Sequence, residues 1–243
     1  MNKLSIKIFE KSNDIAEYLA EFIISKLNLL SDEDSFCLVV SGGNSPKNIF
    51  SYMALHYKDK INWSKIKLFW VDERCVSPKD IQSNYRMVFD SLISKISIPL
   101  NNIFRIMGEE NPITEAKRYS AVINQNVPTY NGMPRFDLVL LGIGEDGHTA
   151  SIFPNNLSLF SAQDICAVTI IGQTNQNRIT ITGRIINNAD TVFFISTGKN
   201  KAEIISKIVK EEFWKIYPAS LVNPKNGILK FLLDKDASFL VDL

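Results

Sequence analysis

A glycine-rich stretch past the middle of the chain combines a carboxylate with a histidine. The apolar run 138–141 leads into Gly-x-Gly-x-x-Gly at 142–147, which contains Asp146 and is followed by His148. Because histidine exchanges a proton near neutral pH and a nearby carboxylate can orient its ring, we interpret His148 as a general base and Asp146 as its partner. The alternative is a structural histidine that is hydrogen-bonded within a turn. The other histidine, His56, falls late in a predicted helix, where a surface position is expected.

The same glycines resemble two nucleotide-binding motifs, and the surrounding residues disfavour both. The dinucleotide fingerprint opens a long helix, but Pro154 follows the last glycine after only seven residues. The phosphate-binding P-loop needs a lysine at the position that His148 occupies. A glycine motif by itself is a weak signal, so we do not predict a nucleotide site.

A second glycine-rich segment, SGGNSP at 41–46, follows one predicted strand and precedes a helix. The start of a helix presents free amides that favour an anion such as phosphate. We therefore predict that Gly42, Gly43, Asn44 and Ser45 bind an anionic group. A plain turn between a strand and a helix is the alternative.

Charged residues follow two more predicted strands. Arg74 ends the triplet Asp-Glu-Arg at 72–74, and an arginine can hold phosphate through two parallel hydrogen bonds. Asp72 could bind a sugar hydroxyl or hold Arg74 in place. Lys201 lies near another helix start and adds a second cation. The alternative is that all these charges are merely solvated.

Several kinds of chemistry are disfavoured by the residue types. The two histidines lie more than 90 residues apart, without HExxH or a cysteine pair, so no metal site is expected. The nearest approach to a nucleophile elbow, around Ser41, lacks the first glycine of GxSxG. Cys75 lies beside Arg74 and could be an activated thiolate, but nothing else indicates a cysteine hydrolase.

The composition indicates an ordinary globular protein. A net charge of +1 gives no field that favours nucleic acid or a membrane surface. Three scattered cysteines form no disulfide framework, which suits a reducing compartment. The N-terminus lacks the apolar core of a signal peptide, and no apolar run approaches the roughly 18 residues of a membrane span. We therefore expect a cytoplasmic protein with one domain, 1–243.

Apolar strands alternate with helical patterns, which predicts an α/β protein with a mainly parallel sheet covered on both faces. In such sheets ligands bind beyond the carboxyl ends of the strands, so loops at 41–46, 72–76, 142–149 and 196–201 are expected at one edge. Ser12 is expected to cap the first helix, and Asp234 or Asp236 a C-terminal turn. The predicted strands are 4–9, 36–40, 66–71, 103–106, 136–141, 165–171, 178–182, 191–196 and 228–233, and the predicted helices are 12–27, 46–57, 83–95, 114–125 and 199–210.

Taken together, seven segments resemble the 6-phosphogluconolactonase family, in that family's order. They are SGGNSP at 41–46, WVDERCV at 70–76, SNY at 83–85, LGIGEDGHTASIFP at 141–154, RITIT at 178–182, GKNKA at 198–202 and PAS at 218–220. The resemblance implies a three-layer α/β/α sandwich with a Rossmann-like sheet, similar to glucosamine-6-phosphate deaminase and ribose-5-phosphate isomerase. It also implies hydrolysis of 6-phospho-D-glucono-1,5-lactone to 6-phospho-D-gluconate in the pentose phosphate pathway, without a cofactor.

Within that resemblance, each candidate residue has an implied role. His148 takes a proton from the water that attacks C1, Asp146 orients the ring, and amides of the glycine-rich turn stabilise the oxyanion. Arg74, Lys201 and the segment 43–45 hold the 6-phosphate, with Arg178 as a further candidate. The expected partner is the phosphosugar lactone alone, bound by a monomer or a weak homo-oligomer.

Two other functions remain open from the residues. The sister family of glucosamine-6-phosphate deaminases has a turn similar to DGHIAFNEP and a triplet DEY. This chain has no glutamate after His148 at the corresponding place, and Arg74 stands where that family has tyrosine. A non-catalytic sensor of sugar phosphates is the second alternative, although no segment resembles a DNA-binding or partner domain.

Overall fold

The computed structural model describes residues 5–171, 175–210 and 216–241. The strands are β1 (Ser5–Phe9), β2 (Phe36–Val40), β3 (Ile66–Trp70), β4 (Asp72–Arg74), β5 (Ile103–Phe104), β6 (Thr129–Tyr130), β7 (Met133–Pro134), β8 (Leu138–Leu141), β9 (Cys166–Ile171), β10 (Gln176–Ile181), β11 (Thr191–Ser196) and β12 (Ile228–Asp234). The α-helices are α1 (Ser12–Leu27), α2 (Asn44–His56), α3 (Asn84–Ser91), α4 (Pro112–Asn126), α5 (Gly183–Ile186) and α6 (Ala202–Val209).

A seven-stranded sheet with the order β1-β12-β11-β8-β2-β3-β5 forms the centre of the fold. Every pairing in it is parallel. The three strands β2, β8 and β11 are buried along their whole length, as expected when helices flank a parallel sheet. This arrangement confirms the predicted α/β class. It also brings the carboxyl ends of these three strands to one edge of the sheet.

A second, antiparallel sheet with the order β4-β10-β9 was not predicted. Residues 72–76 are predicted as a loop, yet Asp72–Arg74 form β4 and pair with β10. The prediction is wrong there because three charged residues carry no apolar alternation. Their partner strand also lies about 100 residues further along the chain. The pairing sets Arg74 directly opposite Arg178.

The carboxylate of Glu73 joins this short strand to the start of α3. Its Oε1 accepts from the backbone N–H groups of Arg74 (2.8 Å) and Asn84 (2.7 Å). Its Oε2 accepts from the Ser83 hydroxyl (3.0 Å) and the Tyr85 N–H (2.8 Å). Burial raises the pKa of Glu73, and these hydrogen bonds oppose the rise. The network fixes where α3 begins.

Several predicted ends differ from the observed ones. Ser12 is the first residue of α1 rather than its cap, because the preceding Lys11 is the cap residue and donates its N–H to Asp14 Oδ2 at 3.2 Å. The helix predicted at 83–95 ends at Ser91 and is followed by a separate 3-10 turn, Ile93–Lys95. The first position of the predicted strand 4–9 lies outside the described residues.

At the C-terminal side, Asp234 caps the last turn as expected, since its Oδ1 accepts from the Ala237 N–H at 2.8 Å. The helix predicted at 199–210 is a 3-10 turn, Lys199–Lys201, that continues into α6. Within the described ranges, none of the helices has both the length and the apolar character needed to cross a membrane.

A buried tyrosine completes the hydrogen bonding of β3 beyond the end of β5. Val71 donates its N–H to Val40 at 2.9 Å, so the backbone groups of the preceding Trp70 point away from β2. On that side β5 has already ended at Phe104. The Tyr119 hydroxyl, carried by α4, accepts from the Trp70 N–H (2.9 Å) and donates to the Trp70 carbonyl (3.0 Å). It thereby takes the place of a strand partner.

We expect Tyr119→Phe to lower the free energy of unfolding by about 2–4 kcal/mol, because it leaves both backbone groups of Trp70 buried without a partner. Urea denaturation followed by circular dichroism measures the change. Tyr130→Phe is the matched control, since Tyr130 is exposed and its loss of a hydroxyl should change stability by less than about 0.5 kcal/mol. Equal stability of the two variants would contradict this role of Tyr119.

Candidate active site

A cavity of about 380 Å³ opens at the carboxyl ends of β2, β8 and β11. The structure brings residues from six separate parts of the sequence to its lining. Among the predicted site residues, those that line it are Gly42, Gly43, Asn44, Ser45, Asp72, Arg74, His148, Arg178 and Lys201. The remaining one, Asp146, contacts His148 but is not among the lining residues.

His148 and Asp146 form a close pair within the glycine-rich turn. His148 Nδ1 lies 2.5 Å from Asp146 Oδ1, which also accepts from the backbone N–H of His148 at 3.1 Å. Because Nδ1 is engaged, Nε2 is the ring nitrogen that can take a proton from another group. A Cβ on Gly144 would lie 2.0 Å from His148 Nδ1, so only glycine lets the ring occupy this position. Gly147 has a φ of +79°, which also favours glycine.

The charge state of Asp146 is set by this pair. Partial burial raises the pKa of Asp146, but the hydrogen bonds and charge of His148 outweigh it, and the pKa lies below its ordinary value of 3.8. The carboxylate is therefore ionised at neutral pH and accepts a hydrogen bond from the ring. The Phe153 ring packs against His148 with 4.6 Å between centroids, which restricts the imidazole from a second side.

The start of α2 also lines the cavity. Gly43 precedes the helix with a φ of +110°, a conformation that side chains rarely adopt. A Cβ on Gly42 would lie 1.8 Å from Asn84 Oδ1, so glycine is required for this close approach. The Ser45 hydroxyl lies 2.7 Å from the Thr197 hydroxyl and accepts from the Thr197 N–H at 3.2 Å, which ties this helix start to the end of β11.

Two guanidinium groups lie side by side on the strand pair β4 and β10. Arg74 donates from Nη1 to the Gln82 carbonyl, and Arg178 Nη1 lies 3.5 Å from Ser151 Oγ. Burial lowers the pKa of Arg178, the nearby Asp72 opposes this, and the positive charge of Arg74 lowers it further. The buried Nε atoms of both arginines have no hydrogen-bond partner within the described part of the chain. Such a pair is suited to bind an anion.

Asp72 is placed against Arg178 rather than Arg74. Its Oδ2 accepts from the Ser151 hydroxyl at 2.5 Å and lies 3.8 Å from Arg178 Nη1. Its Oδ1 accepts from Asn84 Nδ2 at 3.2 Å. Of the two roles left open for Asp72, holding Arg74 in place finds no contact within the described residues, because β4 and β10 direct the carboxylate toward Arg178. Binding of a sugar hydroxyl by Asp72 stays a prediction.

Several lining residues were missed as candidates. Ser41 and Ser196 are buried at the ends of β2 and β11, and their hydroxyls have no hydrogen-bond partner within residues 5–171, 175–210 and 216–241. A polar residue at the end of an apolar strand was the available signal. Asn200 donates to Glu145 Oε1 at 2.7 Å and so connects the glycine-rich turn to the Lys199–Lys201 segment. That contact had no signal in the sequence.

The geometry gives little support to Cys75 as a nucleophile or to a metal site in the described residues. Burial raises the pKa of Cys75 to about 11, so its thiol is protonated at neutral pH and is not an activated nucleophile. In the described ranges, no three histidine, cysteine, aspartate or glutamate side chains are grouped so as to hold a metal ion.

Comparison with known proteins agrees with this geometry. The family model of glucosamine-6-phosphate isomerases/6-phosphogluconolactonase matches residues 10–231. A 6-phosphogluconolactonase of Treponema pallidum is 36% identical over 204 residues, covering 84% of this chain and 83% of its own length.

Solved structures match over nearly the whole chain. The crystal structure of devB protein has a TM-score of 0.92 and 33% identity, covering 98% of this chain and 100% of its own. A monomeric glucosamine-6-phosphate deaminase has a TM-score of 0.81 with coverage of 98% and 100%, but at 18% identity it shows the fold alone.

The curated relatives support a hydrolase with 6-phosphogluconolactonase activity. The match covers the glycine-rich turn, both arginines and the helix start that line the cavity. The chain therefore belongs to the family of glucosamine-6-phosphate isomerases and 6-phosphogluconolactonases.

Proposed function

We propose that the chain hydrolyses 6-phospho-D-glucono-1,5-lactone to 6-phospho-D-gluconate, with His148 as the general base. The observation that carries the proposal is one shared cavity. It holds an imidazole oriented by a carboxylate together with the cations Arg74, Arg178 and Lys201. A phosphosugar lactone presents an electrophilic carbonyl at one end and a phosphate at the other, and the cavity offers a matching group for each.

The reaction follows from the chemistry of these groups. His148 Nε2 takes a proton from water as the water oxygen attacks C1, and Asp146 stabilises the imidazolium that forms. The tetrahedral intermediate collapses with cleavage of the bond between C1 and the ring oxygen. The proton then passes from His148 to that oxygen, which becomes a hydroxyl. General-base catalysis of this kind contributes about 10²–10⁴ in rate.

The phosphate lies far from the reacting carbon, so its binding serves to position the lactone. Arg74 and Arg178 approach from β4 and β10, Lys201 from the segment before α6, and amides from the start of α2. Interactions with such a remote group can be used to hold the carbonyl against the base.

The residues after His148 favour hydrolysis over deamination. Thr149 is buried and donates to the Gly142 carbonyl at 2.9 Å, and Ser151 is buried against Asp72. The glutamate of the deaminase-like turn stands five residues after the histidine, where this chain has Phe153, whose side chain cannot exchange a proton. A coupled assay with fresh lactone, corrected for spontaneous hydrolysis, tests the proposal. Rapid release of ammonia from glucosamine 6-phosphate without lactone turnover would overturn it.

His148→Ala is expected to lower kcat by about 10²–10⁴ because the proton acceptor is lost. Affinity for 6-phosphogluconate should change little, since the cations remain. Calorimetry and the lactone assay measure the two quantities separately. His56→Ala is the matched control, because His56 ends α2 on the surface and should leave both unchanged. Full turnover by His148→Ala would remove His148 from the mechanism.

Asp146→Asn is expected to lower kcat by about tenfold or more, because the amide cannot stabilise a charged imidazole as the carboxylate does. In the unsubstituted protein the pKa of Asp146 lies below its ordinary value of 3.8, so the carboxylate is ionised at any pH above 3.8. The stabilising contact with His148 is thus present above that pH and is lost as the pH falls through the lowered pKa. Rate measurements from pH 5 to 8 should show the deficit of the variant throughout.

Arg178→Met is expected to raise the KM for the phosphorylated lactone by about 10–100-fold, as a charge-assisted hydrogen bond to phosphate is removed. Hydrolysis of unphosphorylated gluconolactone should change much less. Arg184→Met removes a charge outside the cavity lining and serves as the control. Equal losses on both lactones would show that Arg178 acts on something other than the phosphate.

A further inference from the structure

One carboxylate lines this anion-binding cavity without a cationic partner within the described residues. The lining contains the cations Arg74, Arg178 and Lys201, and the carboxylates Asp72 and Glu145. Asp72 lies 3.8 Å from Arg178 and is thereby compensated. The partner of Glu145 is the neutral amide of Asn200, at 2.7 Å. A negative charge in a site for phosphate weakens binding unless it serves to discriminate between ligands.

Glu145 lies between two segments that line the cavity. Glu145 belongs to the same turn as His148, three residues earlier, and both line the cavity. Its contact with Asn200 holds the side chain across the opening between that turn and the Lys199–Lys201 segment. Since the proposed function places the reacting carbon beside His148, in the same turn as Glu145, we expect the charge of Glu145 to act on the group that forms there.

The proposed reaction changes the charge of the ligand at this end. The lactone is neutral at C1, whereas its hydrolysis yields a carboxylic acid that is ionised at neutral pH. The phosphate contributes about −2 to substrate and product alike. Repulsion of the phosphate by Glu145 therefore affects both ligands equally, and only the product bears the additional charge.

Resting on the function proposed above, we propose that Glu145 is a specificity-determining residue that disfavours the anionic product relative to the neutral lactone and so promotes product release. Its hydrogen bond from Asn200 keeps the charge in place without neutralising it. The three cations hold the phosphate of either ligand, and Glu145 sets the difference between the two.

The variant Glu145→Gln tests this, because the glutamine oxygen can still accept from Asn200 while the charge is removed. Glu33→Gln is the matched control, since Glu33 lies in the exposed turn before β2, at the opposite edge of the sheet. Two ratios are measured in each protein. The first is the inhibition constant of 6-phosphogluconate over the KM of the lactone, and the second is the calorimetric Kd of 6-phosphogluconate over that of glucose 6-phosphate, which has no carboxylate.

We expect Glu145→Gln to lower both ratios by about three- to tenfold, and Glu33→Gln to leave them unchanged. The effect should shrink as ionic strength rises from about 0.02 M to about 0.5 M, because salt screens an exposed charge. A merely structural contact would not show that salt dependence.

Two results would overturn the inference. If the constants for both ligands fall by the same factor, Glu145 acts on the phosphate alone, and if neither changes, its charge is irrelevant. Absence of lactone turnover in the unsubstituted protein would refute the proposed function instead. In that case the calorimetric ratio, which needs no turnover, decides whether Glu145 disfavours a sugar acid.

Discussion

The structure depends first on the parallel pairing of β8 between β2 and β11. Parallel strands end at the same edge of a sheet, and all three strands are buried along their length. The turn after β8 must therefore emerge between the segments that follow its two neighbours. His148 follows β8, the start of α2 follows β2, and the Lys199–Lys201 segment follows β11. No single loop could bring these groups together.

Close approach of backbone is the second requirement. Gly144 leaves room for the imidazole at a point where a Cβ would overlap Nδ1, and Gly42 leaves room for the side chain of Asn84. The glycine pattern that resembles a nucleotide fingerprint thus has another physical basis here. It leaves room for a histidine beside an aspartate, whereas Gly42, outside that pattern, leaves room for the first residue of α3.

Electrostatic balance decides how the site can select a ligand. Three cations face a common space, while the buried Asp72 offsets Arg178 and holds it in place through a short network with Ser151. Burial of a guanidinium without such a carboxylate would be costly. Glu145 is held by Asn200 between the glycine-rich turn and the Lys199–Lys201 segment. In the proposal made above, its charge disfavours a ligand that carries a carboxylate in addition to the phosphate.

The sequence by itself determined the α/β class, most of the parallel strands and the pairing of His148 with Asp146, because these follow from local periodicity and from residues only two positions apart. It also identified nine of the residues that line the cavity, but not Ser196 or Asn200. It did not predict β4 or the second sheet, and it left Asp72 open between a sugar hydroxyl and Arg74, whereas the structure places this carboxylate beside Arg178. Only the tertiary structure decided that contact, and the one between Glu145 and Asn200, since both join residues that are far apart in the chain. Such contacts arise from strand pairing and loop convergence, which leave no periodic pattern in either partner's own segment.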